Sequence, residues 1–376
     1  MKETFKKDSS DHENPLHMMT TSPLLSFRMN SSVLPGALSN SSSTSLRPPG
    51  LGMSFFTMTF GVISNLTALA ILFKSRVRFR RQSKTPFLIL TVALLIADLG
   101  GHLIPGSFAM SLHINNMYQP KPEMPNETLC QIFGASMVFF GLASLLLGCG
   151  MAVERVVAIC FPFFHAATIT KGHARRLVLS LYFLALSIAI LPLFIGRYIA
   201  QHPGTWCFLP IQFPHSRRDR SMALVFSCLG ITALTFSLLC NILSGLVLLR
   251  ARRKAQYVNT KSDSTCARRP STASSTSVFC SLDVEMMVQL AVLTVMSCVC
   301  WGPFLVHILV LQSNQSSVGL PEGPDRFLLL GLRMASWNQI LEPWVYILLR
   351  RTVLFKICRR TLNNFNYSRR ETFVLQ

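Results

Sequence analysis

Seven stretches of this chain are long and apolar enough to cross a lipid bilayer, and they leave few other ways for it to fold. A helix spanning a hydrocarbon core of about 30 Å, at about 1.5 Å per residue, needs about 20 apolar residues. Met53–Phe73, Pro86–Leu112, Leu129–Phe161, Leu177–Tyr198, Ser221–Leu249, Val284–Leu311 and Phe327–Leu349 meet that need. None shows the ten-residue alternation of a membrane barrel, so each is expected to be a helix. Only 14% of the residues are charged, against about a quarter in soluble domains. That excludes an ordinary cytosolic enzyme. The net charge of +20 suits nucleic-acid binding, but a basic soluble protein cannot also expose this much apolar sequence. No nucleic-acid partner is expected. The fold class is an all-α membrane protein, a seven-helix bundle.

Charge sets its orientation. Six basic residues lie in Lys74–Lys84, and the connection between spans three and four adds Arg155, Lys171, Arg175 and Arg176. Residues 250–269 and 350–370 hold seven each, so two thirds of the chain's 36 Lys and Arg fall on one face. The positive-inside rule makes that face cytoplasmic and puts the N-terminus outside. Arg217, Arg218 and Arg220 fall on the other face and are too few to reverse it. The sequons at Asn30, Asn40, Asn126 and Asn314 then lie outside, where glycosylation is expected. Those at Asn65 and Asn366 fall in a span and in the cytosol and read as chance. Of eleven cysteines, only Cys130 and Cys207 reach the oxidising face, so one disulfide between them is expected.

Residues 1–50, rich in Ser, Thr, Asn and Pro, read as a disordered outer tail, and 51–350 as the membrane domain. The basic, Ser/Thr-rich loop 251–283 is expected to be flexible, and its Arg268-Arg269-Pro270-Ser271 has the pattern of a basophilic kinase site. In the cytoplasmic tail 351–376, Arg351–Leu362 suits a short amphipathic helix on the inner leaflet, in contact with membrane lipids. Its Cys358 is either a palmitoylation site or a free thiol.

No metal-ligand spacing, nucleotide-binding glycine motif or catalytic constellation is present, so no cofactor, metal site or enzyme activity is expected. What remains is a set of ionisable groups inside spans: Asp98, His102, His113, Glu154, Arg155, Arg333 and Glu342. Such groups are expensive in a membrane and mark functional positions. Asp98 and Glu342 read either as a hydrated polar network holding two states or as a ligand site. Two neighbouring buried carboxylates rarely both ionise, so a proton or a cation is expected between them. Arg333 stands ten residues before Pro343, about 15 Å up the helix toward the outer face. A guanidinium keeps its charge and its fork suits a carboxylate, so in an apolar cavity it calls for an anion. An internal salt bridge or snorkelling is the alternative, yet no acidic residue lies in the outer half of spans three, five or six. The same absence argues against an amine receptor, whose carboxylate would stand near Met137.

Asn65, Asp98, Glu154-Arg155-Val156, Cys300-Trp301-Gly302-Pro303 and Glu342-Pro343-Trp344-Val345-Tyr346 resemble the rhodopsin-like G-protein-coupled receptors. Two stretches narrow the likeness to prostanoid receptors: Gly204-Thr205-Trp206-Cys207-Phe208, and Leu332-Arg333-Met334-Ala335-Ser336-Trp337-Asn338-Gln339-Ile340-Leu341. Gly101-His102-Leu103-Ile104-Pro105-Gly106 and residues 146–155 are most similar to the calcium-mobilising prostaglandin E receptors, then to the prostaglandin F receptors. The resemblance covers about Met53 to Arg360.

That likeness implies a fatty-acid-derived ligand, prostaglandin E2, whose carboxylate pairs with Arg333 and Thr205 under a lid shaped by Trp206. It places His102 and Ser54 near the ligand's ring, with Trp301, Trp337 and Ser336 about the pocket. His113 stands where the family usually has a tyrosine, Glu342 replaces its aspartate and Gly302 its serine. The implied activation network comprises Asp98, Ser144, Asn338, Glu342, Tyr346, Glu154 and Arg155. Resting Arg155 is expected to pair with Glu154, or with Asp283 or Glu285. The implied partners are a heterotrimeric G protein of the Gq class and arrestin, at the plasma membrane. An organic-anion transporter or channel using Arg333 as a selectivity charge is the reading from another class; no inverted repeat supports it.

Overall fold

The computed structural model describes residues 50–76, 85–118, 126–202, 204–211, 216–262, 273–313 and 326–349, all within one compact unit, Arg47–Gln376. Among these described residues, eight helices and one small hairpin follow in the order α1 (Gly50–Arg76), α2 (Thr85–Tyr118), α3 (Glu127–Cys160), α4 (Pro162–Thr168), α5 (Lys171–Ile195), β1 (Ile199–Gln201), β2 (Trp206–Phe208), α6 (Arg217–Ser262), α7 (Ala273–Ser313) and α8 (Arg326–Leu349). The seven expected spans are α1, α2, α3, α5, α6, α7 and α8. Six of them are long and apolar enough to cross a membrane. The seventh, α8, carries Arg326, Arg333 and Glu342, and packs between α1 and α7.

Within the most apolar stretch of each helix, 56% of α3 is buried but only 22% of α5. α3 is therefore the central post, and α5 an outer stave whose Leu179, Phe183 and Phe194 face outward. Local chemistry fixes the ends. Asn126 caps α3 by accepting from the Thr128 N–H at 3.1 Å. Thr170 caps α5 through the His173 N–H, and Pro162 opens α4 where its missing N–H is no loss. Pro105, Pro192, Pro303 and Pro343 lie inside α2, α5, α7 and α8 and each removes a backbone donor there.

Between spans five and six the helices run past their apolar stretches. α6 continues to Ser262 and α7 begins at Ala273, so helix enters the loop expected to be flexible over 251–283. Ala251, Arg252, Arg253, Lys254 and Gln256 are strong helix formers and prolong α6 past its apolar stretch. The pattern around Ser271 lies outside the described residues, as do Arg351–Leu362 with Cys358 and the sequons at Asn30, Asn40 and Asn314.

On the outer side the β1–β2 hairpin lies over α3. Its register pairs Gln201 with Trp206, and Gly204 turns the chain at φ +86°, a conformation few side chains tolerate. A Cys130–Cys207 disulfide ties β2 to the top of α3. Gln131 clamps the approach to β1 from both sides: its Nε2 donates to the Tyr198 carbonyl and its Oε1 accepts the Tyr198 N–H, each at 3.0 Å. The Tyr198 ring lies on Gly134, where a Cβ would come within 2.4 Å of it. Its hydroxyl donates to the Ala189 carbonyl at 2.7 Å.

Candidate ligand-binding site

Beneath the hairpin, α1, α2, α3 and α8 enclose a cavity of about 530 Å³. That volume suits a small lipid. Its walls are largely apolar, with Met53, Met58, Ala109, Phe133, Met137 and Leu332 among them. The polar groups are few. Ser54, His102, His113, Thr205, Trp206, Arg333 and Ser336, spread over four elements and as much as 282 positions of sequence, all line it. Ser54 Oγ and His113 Nε2 share a hydrogen bond of 3.1 Å, and His113 lies within electrostatic reach of Arg333. Arg333 pairs with no carboxylate among the described residues, so its fork is available to an anion in the cavity.

His102 sits deeper and is buried. Its ring lies on Gly61 of α1, where a Cβ would come within 2.4 Å. It meets the backbone of Gln339, and its Nε2 has no partner among the described residues. A buried ring nitrogen of this kind is ordinarily satisfied by a water or another bound group. Trp206 is buried, its Nε1 donating to the His202 carbonyl at 3.1 Å. Trp337 lines the cavity; Trp301 does not. Trp301 packs over Gly141 of α3, where a Cβ would come within 2.8 Å of its ring, and against Phe304. The small residue opposite draws that indole into the helix contact and away from the cavity.

A second polar cluster lies toward the middle of the bundle. Ser144 donates to Asp98 at 2.6 Å, Asn338 to Glu342 at 2.5 Å and Ser297 to Glu342 at 3.5 Å. Asp98 and Glu342 neighbour one another, and among the described residues one oxygen of each lacks a donor. Ser144, Ser237, Thr294, Ser297 and Glu342 border a cavity of about 20 Å³, room for one water. Asn65 donates to the Gly61 and Gln339 carbonyls and so ties α1 to α8. Tyr346 is buried nearby, its hydroxyl 3.7 Å from the Met151 sulfur.

The third cluster closes the cytoplasmic end of α3. Arg155 donates to both oxygens of Glu154 at 2.6 Å, and its guanidinium lies 4.8 Å from the Phe87 ring centre. His165 of α4 also reaches Glu154, Nε2 to Oε1 at 2.9 Å, and must donate there because a carboxylate only accepts. Arg155 touches α7 through the Met286 sulfur at 3.8 Å. Asp283 belongs to α7, but its side chain and that of Glu285 lie outside the described residues. His165 escaped sequence reasoning because a lone histidine after Phe163 and Phe164 carries no motif; the Gln131 clamp escaped it for the same reason.

Residues 64–346 match the family of 7 transmembrane receptors (rhodopsin family). The prostaglandin E2 receptor EP1 subtype of Homo sapiens is 41% identical over 349 residues, covering 84% of each chain. Its counterpart in Mus musculus is 40% identical, covering 82% of this chain and 81% of its own. The prostaglandin F2-alpha receptor of Homo sapiens is 40% identical over 303 residues, covering 80% of this chain and 78% of its own. Apolar helices in a bundle and relatives of this kind agree: the chain belongs to the rhodopsin-family seven-transmembrane receptors, as a prostanoid receptor of the plasma membrane.

Proposed function

We propose that the chain is a receptor for prostaglandin E2 that signals through a Gq-class G protein, phospholipase C and intracellular calcium. One observation carries the ligand class: Arg333, without a carboxylate of its own among the described residues, borders a mostly apolar cavity of lipid size. In this reading the ligand carboxylate bridges Arg333 and Thr205, with His113 as a third donor held by Ser54. His102 Nε2 takes a ring hydroxyl, while Ser336 and Trp337 line the side of the cavity. Prostaglandin E2 is preferred to prostaglandin F2-alpha because the first relatives named are E2 receptors. Membership of a receptor family leaves the transporter reading without support.

Binding is read as biasing α7 and α8 about Pro303 and Pro343 through the Asp98–Ser144–Asn338–Glu342 cluster and Tyr346. Arg155 then leaves Glu154, opening the cytoplasmic face to the G protein and afterwards to arrestin. Asp283 is a second resting partner for Arg155. Asn126 is proposed as a glycosylation site beside Asn30, Asn40 and Asn314, and Cys358 as a palmitoylation site. The test is intracellular calcium in cells expressing the chain, exposed to a panel of prostanoids, with Arg333→Ala alongside. The strongest response is expected to prostaglandin E2, and lost or strongly right-shifted in the variant at equal surface expression. A stronger response to prostaglandin F2-alpha overturns the ligand, and silence to every prostanoid overturns the calcium route.

A further inference from the structure

Two histidines line the ligand-binding cavity, and their surroundings differ. His102 meets the backbone of Gln339, whereas His113 lies within electrostatic reach of Arg333. Few charged or titratable groups face His113. Among the described residues, Arg333 of α8 and His102 of α2 are the only others that border the cavity. α1, α3 and the hairpin contribute Met, Ser, Thr, Phe and Trp side chains, none of which is charged at neutral pH. A charge on the His113 ring therefore has no carboxylate of the cavity lining to compensate it.

The ring is nevertheless held in a way that accepts a proton. Ser54 Oγ lies 3.1 Å from His113 Nε2 and is its hydrogen-bond partner. A hydroxyl both donates and accepts, so this bond survives whether or not Nε2 carries a hydrogen. The ring makes no other hydrogen bond among the described residues, which leaves its second nitrogen to the contents of the cavity. His113 is half-buried near the outer end of α2, where the outer medium supplies protons.

A carboxylate accepts hydrogen bonds and never donates them. With a hydrogen on both ring nitrogens, His113 bonds Ser54 through one and a ligand carboxylate through the other, and the second bond gains the strength of a charged pair. Without an anion, the same proton sets two cations near one another, and they repel. An ionised carboxylate beside both removes that repulsion. Proton and ligand thus favour one another, and the linkage acts equally in both directions.

We propose that His113 takes up a proton together with the ligand carboxylate, so that acidity in the outer medium tightens the receptor's hold on an ionised lipid. The proposal rests on the prostanoid reading of this cavity and adds its regulation. Binding that takes up one proton strengthens as pH falls through the range where histidine titrates, by at most about tenfold per unit of pH. Carboxylates stay ionised through most of that range, since they bind their own proton about two units lower.

The experiment measures the Kd of tritiated prostaglandin E2 on the full chain in lipid nanodiscs from about pH 8 to about pH 6. Kd is expected to fall about fivefold across that range in the unaltered chain. In His113→Gln, whose amide can still bond Ser54 but takes no proton, it is expected to change by less than about twofold. Prostaglandin E2 methyl ester, measured by competition, has no anion to pair with the proton. Its affinity for the unaltered chain is expected not to rise with acidity, and this comparison needs no variant to fold. An equal gain for the ester overturns the proposal. So does a slope that survives in His113→Gln, which would put the proton on another group, His102 first. Saturable binding with a flat pH profile overturns the proposal and leaves the prostaglandin reading standing. No saturable binding at any pH removes that reading, and the proposal with it.

Discussion

Glu154 is a buried carboxylate with three donors: two nitrogens of Arg155 and one of His165. If activation withdraws Arg155, His165 is the donor that remains. A buried carboxylate stripped of its partner loses about 3–5 kcal/mol, so without His165 the active arrangement is penalised more than the resting one. His165→Ala is therefore expected to lower agonist-driven nucleotide exchange about tenfold or more. Glu154→Gln in the same chain should restore most of it, because a neutral amide needs no cation. Exchange on purified G protein reads both outcomes; a His165→Ala receptor with raised exchange would sink the argument. Arg333 gives a second prediction. Lys keeps the charge but loses the planar fork, so Arg333→Lys should weaken prostaglandin E2 binding about tenfold, and Arg333→Ala about a hundredfold. Competition binding at equal receptor density distinguishes these from an equal loss, which would assign Arg333 a purely structural part. Arg333 was legible in the sequence because a permanent charge in an apolar helix has few explanations. The packing of Trp301 on Gly141, 160 positions away, was not legible, because a missing side chain carries no signal by itself.

At the scale of elements, the hairpin depends on α3 more than on its own few backbone bonds. Cys130, Gln131 and Gly134 are near neighbours on one helix, and they supply the disulfide, the amide clamp and the seat for Tyr198. Gln131→Leu leaves the Tyr198 N–H and C=O both unpaired, at about 1–3 kcal/mol for each buried group. The hairpin carries Thr205 and Trp206, so the change is expected to lower the melting temperature by several degrees and to hasten ligand dissociation. Thermal unfolding and dissociation of tritiated ligand measure the two effects; a normal melting temperature with normal dissociation would mean that the disulfide alone holds the hairpin. The cysteine pairing was legible from charge and topology. The strands were not, because three-residue segments carry no periodicity. The short helix α4 was missed for a related reason: its Phe163 and Phe164 are exposed, so no apolar face announces it.

The whole molecule shows where hydropathy stops being a guide. Six helices are apolar enough to be recognised on composition, whereas α8 places Arg333 beside the ligand-binding cavity and Asn338 and Glu342 in the central cluster. This least apolar span contributes to both polar sites, as does α2 through His102, His113 and Asp98, since polar groups in a membrane bundle are kept where interior partners offset their desolvation. α8 thus joins the ligand cavity to the carboxylate pair, and α3 joins that pair through Ser144 to Glu154 and Arg155. Coupling across this distance is a free energy, so it acts equally in both directions. If agonist favours the arrangement that holds G protein, G protein must favour agonist by the same factor, typically about 5–150-fold. A non-hydrolysable guanine nucleotide, which releases the G protein, is therefore expected to weaken prostaglandin E2 binding by a factor in that range. Ser144→Ala and Asn338→Ala should shrink the shift, since each removes a donor from the carboxylate cluster and touches neither the ligand cavity nor the cytoplasmic face. Equilibrium binding in membranes containing G protein, with and without the nucleotide, decides the matter. A full shift in both variants would route the coupling around the central cluster. No shift in the unaltered receptor, with G protein demonstrably present, would separate ligand binding from the cytoplasmic face altogether.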